Sequence, residues 1–213
     1  MTCIFLVRHA MTVWHAVGRY AGSSDVALAP KGYVQAERLA DWASKAELTA
    51  IWCSPLSRAR LTAAPSARAT GVKSQIDERL REVGFGVVEG KTLAEAEQLY
   101  PEAMRRFRND PGTYAMPGGE DPREAALRGV SALRDIVAMC PKGRVLVVAH
   151  KTLIRLALCS LLGIPLHRYR SVFPVVNNGT LTEIRFRGQD VGLMQYNSPL
   201  VLLPNHPAPN QTL

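Results

Sequence analysis

Three short runs of apolar residues, at 4–7, 50–53 and 145–149, stand out in the pattern of hydrophobic and polar positions. Each run is long enough for a strand and too short for a typical helix. An unbroken apolar run of this length, containing Ile or Val, is typical of a strand that is buried on both faces. We therefore predict three buried strands inside a sheet.

The segments between these runs carry helical and turn signals. Apolar positions at helical spacing, bounded by Pro and Gly, predict helices near residues 30–46, 56–70, 93–98, 101–108, 123–139 and 153–162. A short strand is predicted near 73–76, and alternating segments at 181–187 and 191–196 predict a hairpin at a sheet edge. This alternation of strands and helices predicts an α/β fold, a three-layer α/β/α sandwich with a mostly parallel central sheet.

The chain of 213 residues shows neither a linker nor an internal repeat, so we predict a single domain over residues 1–213. Residues 92–122 combine two short helices with a Gly- and Pro-rich loop. Long irregular loops in compact domains often cover binding sites, so we predict a lid there. The tail from Pro204 onwards is rich in Pro and Asn, and we expect it to be loose.

Composition narrows the class of partner. Hydrophobic residues make up 47% of the chain, the ordinary value for a globular protein. The net charge is +8, but the basic residues are scattered and aromatic residues make up only 7%. This pattern argues against a nucleic-acid partner, while a basic surface attracts small anionic substrates.

The four cysteines include no CxxC pair, and three of them lie in apolar runs. Free buried thiols are typical of a reducing compartment. The first apolar run is too short for a signal peptide, and no run is long enough to span a membrane. We therefore predict a cytoplasmic protein with no membrane partner.

Arginine, histidine and glutamate residues lie at the ends of predicted strands, at a helix start and in a loop. Arg8 and His9 end the first strand, His150 ends another, Arg58 opens a helix and Glu82 lies in a glycine-containing loop. Ligands of open parallel sheets bind beyond the carboxyl ends of the strands, so these side chains are expected to converge. Arginines bind oxyanions, histidine can attack phosphorus, and a carboxylic acid can protonate a leaving oxygen. The set suits phosphoryl transfer, which here requires no metal, and the sequence shows no HExxH motif or comparable metal-ligand spacing.

With these residues the chain resembles the histidine phosphatase superfamily, the phosphoglycerate mutase-like family. The similarity is carried in order by seven motifs, at residues 6–14, 28–36, 54–63, 80–90, 117–120, 147–150 and 178–182. It covers nearly the whole chain, and the ordered set is more specific than any single motif. The resemblance implies the phosphoglycerate mutase-like fold and a phosphatase that needs no cofactor.

The resemblance also implies roles for individual residues. His9 would be the nucleophile and become a phosphohistidine, while Arg8, Arg58 and His150 would bind the phosphoryl group. Glu82 would donate the proton and then activate water. Thr12 matches a position that often adds a hydroxyl contact to the phosphate.

Several positions depart from the family pattern. Ala10 replaces a glycine, His15 stands where asparagine is common, and Ala21 occupies a position that is often polar. Lys151 follows His150 where glycine is usual, and it could either bind a second anionic group or point to solvent. We expect the substrate site to be lined by Arg8, Thr12, His15, Ala21, Gly22, Arg58 and Lys151. These departures leave the natural substrate open.

The favoured function is a metal-independent phosphomonoesterase that acts on small phosphorylated metabolites. A cofactor-dependent phosphoglycerate mutase is the first alternative, although Phe85 stands where mutases tend to have tyrosine. A non-catalytic phosphate-binding module of the same fold is the second. The sequence leaves the oligomeric state open, with a homodimer as one option.

Overall fold

A computed structural model describes residues 1–200 of the chain. The predicted loose tail from Pro204 lies outside these residues. Within them, the strands are β1 (Thr2–Arg8), β2 (Ala50–Cys53), β3 (Ser74–Ile76), β4 (Arg144–Ala149), β5 (Leu181–Arg187) and β6 (Asp190–Ser198).

The helices of the same residues follow in chain order. They are α1 (Val13–Ala16), α2 (Pro30–Ala43), α3 (Ser57–Thr70), α4 (Leu93–Leu99), α5 (Pro101–Asn109), α6 (Pro122–Met139), α7 (Lys151–Leu161) and α8 (Tyr169–Val172). Single 3₁₀ turns occur at Glu78–Leu80, Gly86–Val88 and Leu166–Arg168.

The strands of the described residues form a mixed sheet in the order β3-β2-β4-β1-β5-β6. Strands β3, β2, β4 and β1 are parallel neighbours, whereas β5 is antiparallel to β1 and β6 is antiparallel to β5. The predicted α/β sandwich with a mostly parallel sheet is therefore confirmed, including the β5–β6 hairpin at one edge.

Alternate residues of the central strands supply two separate cores. Ile4 and Leu6 of β1 pack with α6 and α7 on one face of the sheet, whereas Phe5 and Val7 pack with α2 and α3 on the other. Because both faces are covered, the strand is apolar throughout, which explains the unbroken run in the sequence.

A third, smaller cluster lies in the predicted lid region. It joins α4 and α5 to the neighbouring loops through Val88, Ala96, Met104, Phe107 and Met116. The two helices confirm the helical part of the sequence interpretation for this segment. Movement of residues 92–122 over a site stays a prediction.

Helix α7 begins two residues earlier than the periodicity predicts, at Lys151. The backbone N–H groups of Thr152 and Leu153 donate to the carboxylate of Glu82, at 3.1 and 3.0 Å. These bonds satisfy donors that the first turn of a helix leaves unpaired. A distant side chain thus fixes this helix start, and local pattern could not reveal it.

Candidate active site

Three adjacent strands end at the same edge of the sheet and carry the candidate site there. Strand β4 lies between β2 and β1, and in the register Cys53 is aligned with Val148 and Arg8 with Ala149. The residues that follow these strand ends, Ser54, His150 and His9, are consequently neighbours. The His9 and His150 rings lie 5.0 Å apart between centroids.

His9 is buried, with 4% of its surface exposed. Its Nδ1 lies 2.8 Å from the carbonyl oxygen of Ala10, which can only accept, so Nδ1 carries the proton. Burial lowers the pKa of His9 well below its usual range, and the charges of Arg58 and Arg8 lower it further. The imidazole is therefore neutral at pH 7, with the lone pair on Nε2.

Two arginines lie within electrostatic range of this ring. Arg58 is fully buried and donates to the carbonyl oxygens of Ser24 and Gly22, at 2.6 and 2.7 Å. Arg8 donates to the carbonyl oxygen of Val176 at 2.7 Å. Burial lowers the pKa of Arg8 to about 10, so it stays charged at neutral pH. Within residues 1–200 neither arginine forms a salt bridge, and each has a buried Nε without a hydrogen-bond partner.

His150 is completely buried, and its Nε2 lies 2.7 Å from the hydroxyl of Ser54. Burial lowers its pKa well below the usual range, and the positive charge of Arg58 adds to that effect. Its other nitrogen, Nδ1, is buried without a hydrogen-bond partner in the described part of the chain. The site thus contains a neutral imidazole with one free polar atom.

Glu82 reaches the same edge from the loop after the first 3₁₀ turn. Oε1 accepts the N–H groups of Val83 and Leu153, both at 3.0 Å, and Oε2 accepts that of Thr152. The charge of Glu82 raises the pKa values of Arg8 and Arg58, against the effect of burial. The carboxylate therefore lies within electrostatic range of the arginines that face His9.

Arg128 holds the Glu82 loop in place. Its guanidinium donates to the carbonyl oxygens of Arg79, Arg81 and Glu82, at 2.6, 2.7 and 3.2 Å. It also pairs with the carboxylate of Glu120 at 2.6 Å. Sequence reasoning missed Arg128, because α6 looks from its own pattern like an ordinary amphipathic helix.

His15 lies beside His9, at 5.6 Å between ring centroids. Its Nε2 is within hydrogen-bond distance of Arg8, which can only donate, and its Nδ1 lies 2.6 Å from the Thr12 hydroxyl. Burial and then the charges of Arg8 and Arg58 lower the pKa of His15 to about 4. The structure thus brings Thr12 and His15 to the site, where the Thr12 hydroxyl contacts His15.

The loop with Ala21 and Gly22 also reaches the site, because Gly22 binds Arg58 through its carbonyl. Glu89 holds this loop in place. Its carboxylate accepts hydrogen bonds from the backbone N–H and the hydroxyl groups of Ser23 and Ser24. It also accepts the backbone N–H of Phe85 at 2.8 Å. Burial alone would raise the pKa of Glu89, but these hydrogen bonds outweigh it and the pKa is lowered. Glu89 and Ser54 both lie in motifs quoted above, yet the sequence assigned neither a role.

Lys151 follows His150 at the start of α7 and is partly buried. Burial, with the charges of Arg155 and Arg8, lowers its pKa to about 8. Arg155 lies one helical turn further on and Arg170 lies on α8. Among residues 1–200, no carboxylate forms a salt bridge with any of these three cations.

The described residues contain neither a candidate metal site nor a candidate membrane span. No group of three or more His, Cys, Asp or Glu side chains among them is placed to hold a metal ion. No helix among residues 1–200 is long and apolar enough to cross a membrane.

Comparison with known proteins gives the class of protein. The chain matches the family model of the histidine phosphatase superfamily, branch 1, over residues 4–199, and it belongs to that superfamily. The sequence-based resemblance is thereby confirmed.

Individual relatives differ in their activities. Phosphoserine phosphatase 1 of Hydrogenobacter thermophilus is 34% identical over 171 residues, covering 80% of this chain and 81% of the relative. A probable phosphoglycerate mutase, GpmB, of Escherichia fergusonii is 33% identical over 165 residues, covering 78% and 77%. A mycobacterial glucosyl-3-phosphoglycerate phosphatase solved with VO3 superimposes with a TM-score of 0.85 at 27% identity, covering 92% of this chain and 99% of that chain. The phosphatases confirm the prediction of a phosphoric monoester hydrolase, and the mutase is the alternative.

Proposed function

We propose that the chain transfers the phosphoryl group of a small phosphomonoester to Nε2 of His9 and then to water. The observation that carries this proposal is the hydrogen bond from His9 Nδ1 to the Ala10 carbonyl. It leaves the lone pair on Nε2, and burial beside two arginines keeps the ring unprotonated. A neutral imidazole held in one tautomer is a nucleophile at neutral pH.

The phosphoryl group would lie between His9, His150 and the two arginines. Arg8 and Arg58 retain buried Nε–H donors without partners in the described chain, and His150 retains Nδ1. Buried polar atoms are rarely left unpaired, so their convergence supports a site for an oxyanion. Donors held in place in this way stabilise the charge on the equatorial oxygens during transfer.

Glu82 would supply and recover the proton. As Nε2 attacks phosphorus, the bond to the leaving oxygen breaks and that oxygen takes the proton of the Glu82 carboxyl group. Water then attacks the phosphohistidine, gives its proton to the Glu82 carboxylate, and the P–N bond breaks to restore His9. Oε2 accepts one backbone hydrogen bond where Oε1 accepts two, so Oε2 is better placed to carry the proton.

His15 and Thr12 would act on the substrate through Arg8. His15 accepts from the Arg8 guanidinium and is itself held by the Thr12 hydroxyl. In this role the pair orients Arg8, and Ala21 and Gly22 line the side of the site near Arg58.

Lys151 would bind a second anionic group of the substrate. It lies beside His150 near Arg155 and Arg170, and repulsion among these cations contributes to its lowered pKa. Like charges held close together are unfavourable, and an anion relieves the repulsion. Phosphoserine and glucosyl-3-phosphoglycerate, which appear in the names of two of the similar proteins, both carry a carboxylate in addition to the phosphate.

We also propose a cytoplasmic enzyme that acts on a small molecule and not on nucleic acid. Support comes from the four cysteines, which are all free thiols, three of them buried. Many surface arginines pair with carboxylates of the same chain, as Arg105 does with Glu102. A homodimer is an option that a molar mass measured in solution would decide.

The test is hydrolysis of 4-nitrophenyl phosphate in EDTA by wild type, His9→Ala and the control His167→Ala. His167 is an exposed histidine, so its replacement should leave the rate unchanged. We expect turnover by wild type and the control, together with an acid-labile, base-stable phosphoenzyme that is absent from His9→Ala. Turnover by His9→Ala at the wild-type rate would overturn the assignment of the nucleophile.

The same preparation separates phosphatase from mutase. Incubated with 3-phosphoglycerate, a phosphatase releases inorganic phosphate, whereas a mutase primed with a bisphosphorylated glycerate forms the 2-isomer. Faster isomerisation than phosphate release would replace the proposal with the mutase.

A further inference from the structure

Ser54 is a buried hydroxyl at the carboxyl end of β2 that the steps above do not use. We propose that Ser54 is a positioning residue that fixes the tautomer of His150, so that His150 presents an Nδ1–H to the phosphoryl group. The part that concerns the phosphoryl group rests on the proposed function, whereas the tautomer itself does not.

The two hydrogen bonds of the Ser54 hydroxyl allow one assignment of donor and acceptor. Its side chain is 0% exposed, and its oxygen has two neighbours, the backbone N–H of Leu56 at 3.3 Å and Nε2 of His150 at 2.7 Å. Leu56 can only donate. Among residues 1–200, His150 Nε2 is consequently the acceptor within hydrogen-bond distance of the Ser54 hydroxyl. A buried O–H left without an acceptor is costly.

The proton of His150 is thereby assigned to Nδ1. A neutral imidazole has one N–H and one lone pair, so a ring that accepts at Nε2 donates at Nδ1. His150 is neutral because burial lowers its pKa and the positive charges of Arg58 and Arg8 oppose protonation. Nδ1 is the buried atom that lacks a partner in the described chain, so its proton is free for an anionic oxygen.

The opposite tautomer would work against binding. With the proton on Nε2, Nδ1 would present a lone pair, which repels a phosphoryl oxygen. Leu56 immediately precedes helix α3, which carries Arg58, and its N–H lies on the same Ser54 oxygen. Ser54 therefore links the position of α3 to the proton of His150.

The tautomer is tested directly by ¹⁵N–¹H NMR of the free protein labelled at histidine, with the His150 signals assigned from their loss in His150→Gln. We expect a one-bond N–H correlation at Nδ1 and a bare-nitrogen shift at Nε2. A proton on Nε2 in wild type would overturn the proposal. In Ser54→Ala the preference should weaken, giving a mixture of tautomers or the Nε2–H form.

The activity of Ser54→Ala can be compared with that of a matched control, Ser66→Ala. Ser66 lies on α3 and is also fully buried, but its hydroxyl has no hydrogen-bond partner among the described residues. We expect Ser54→Ala to weaken binding of inorganic phosphate and to lower kcat/KM on 4-nitrophenyl phosphate by about 10- to 100-fold. Ser66→Ala should leave both unchanged. Equal values for the two variants, with both folded by circular dichroism, would overturn the role of Ser54.

Failure of the proposed function would give a different pattern. A chain without phosphatase activity would show no turnover in wild type, whereas the NMR signals and the binding of inorganic phosphate would still report on His150. An Nδ1–H tautomer with phosphate binding supports the role of Ser54 even then. An Nε2–H tautomer in an active phosphatase rejects it.

Discussion

The carboxylate of Glu82 accepts the backbone N–H of Leu153 at 3.0 Å, which ties the proposed acid to the helix that follows His150. This contact places the carboxyl group without using the oxygen that would carry the proton. We expect Glu82→Gln to lower kcat/KM on glycerol 3-phosphate about 100-fold or more, because its alkoxide is a poor leaving group. On 4-nitrophenyl phosphate the loss should be below about tenfold, since that leaving group needs little protonation.

The control for this prediction is Glu78→Gln, an exposed acid on the 3₁₀ turn that precedes the same loop. Its rates on both substrates should equal those of wild type. Equal losses on the two substrates in Glu82→Gln would show that Glu82 is structural and not an acid.

Arg58→Lys should lower kcat/KM on 4-nitrophenyl phosphate by at least about 100-fold. The guanidinium holds two loop carbonyls through its Nη atoms while its Nε stays free, and an ammonium group cannot do both. Arg60→Lys, at an exposed position on the same helix, is the matched control and should retain the wild-type rate. Activity of Arg58→Lys within a few-fold of wild type would show that the several donors of the Arg58 guanidinium are not required.

Gly22→Ala should lower the free energy of unfolding by about 3 kcal/mol, and Gly18→Ala by about 1 kcal/mol. Both glycines have positive φ, +48° and +65°, so both substitutions strain the backbone. Only at Gly22 would the added Cβ meet another group, Oε1 of Glu89 at 2.0 Å, whereas at Gly18 nothing lies within 4 Å. Urea unfolding would measure both free-energy changes. An increase in KM is expected for Gly22→Ala alone, because the Gly22 carbonyl holds Arg58.

The free energy of unfolding should fall as the pH is lowered from 7 to 5. Burial and the charges of Arg8 and Arg58 lower the pKa of His15 to about 4, against 6.5 in an unfolded chain. Between these values the unfolded state binds more protons, so acid favours unfolding. His15→Asn should reduce the fall by about 1 kcal/mol, because His15 is partly exposed and solvent screens its interactions with the arginines, as measured by urea unfolding at both pH values. The exposed His167→Asn should follow wild type, and an identical fall in His15→Asn would show that His15 is not held neutral.

Lys151 should discriminate between substrates with and without a second anionic group. The matched pair is 3-phosphoglycerate and glycerol 3-phosphate, which differ by a carboxylate in place of a hydroxymethyl group. Lys151→Gln should lower kcat/KM on 3-phosphoglycerate by about tenfold, the value of one charge-assisted hydrogen bond, and leave glycerol 3-phosphate nearly unchanged. Lys73→Gln, at an exposed lysine, is the control. Equal losses on both substrates would mean that Lys151 does not contact the second group.

The pattern of apolar and polar residues was enough to predict the strands, most of the helices and the edge of the sheet where we propose the active site. Periodicity reports which faces are buried, and Arg8, His9 and His150 follow directly from the ends of apolar runs. Neighbouring strands end together in a parallel sheet, so the sequence predicts that these residues lie near each other.

The way in which these polar groups are held could not be predicted from the sequence. Ser54 and His150 are 96 positions apart in the chain, and Glu82 and Leu153 are 71 apart. Periodicity describes how a segment faces the core and carries no information about which side chain from another segment reaches it. Hydrogen bonds between distant segments of the chain determine the start of α7, the proton on His150 and the carbonyls that hold Arg58. Donor and acceptor must be in close contact for such a bond, so these contacts exist only in the assembled fold.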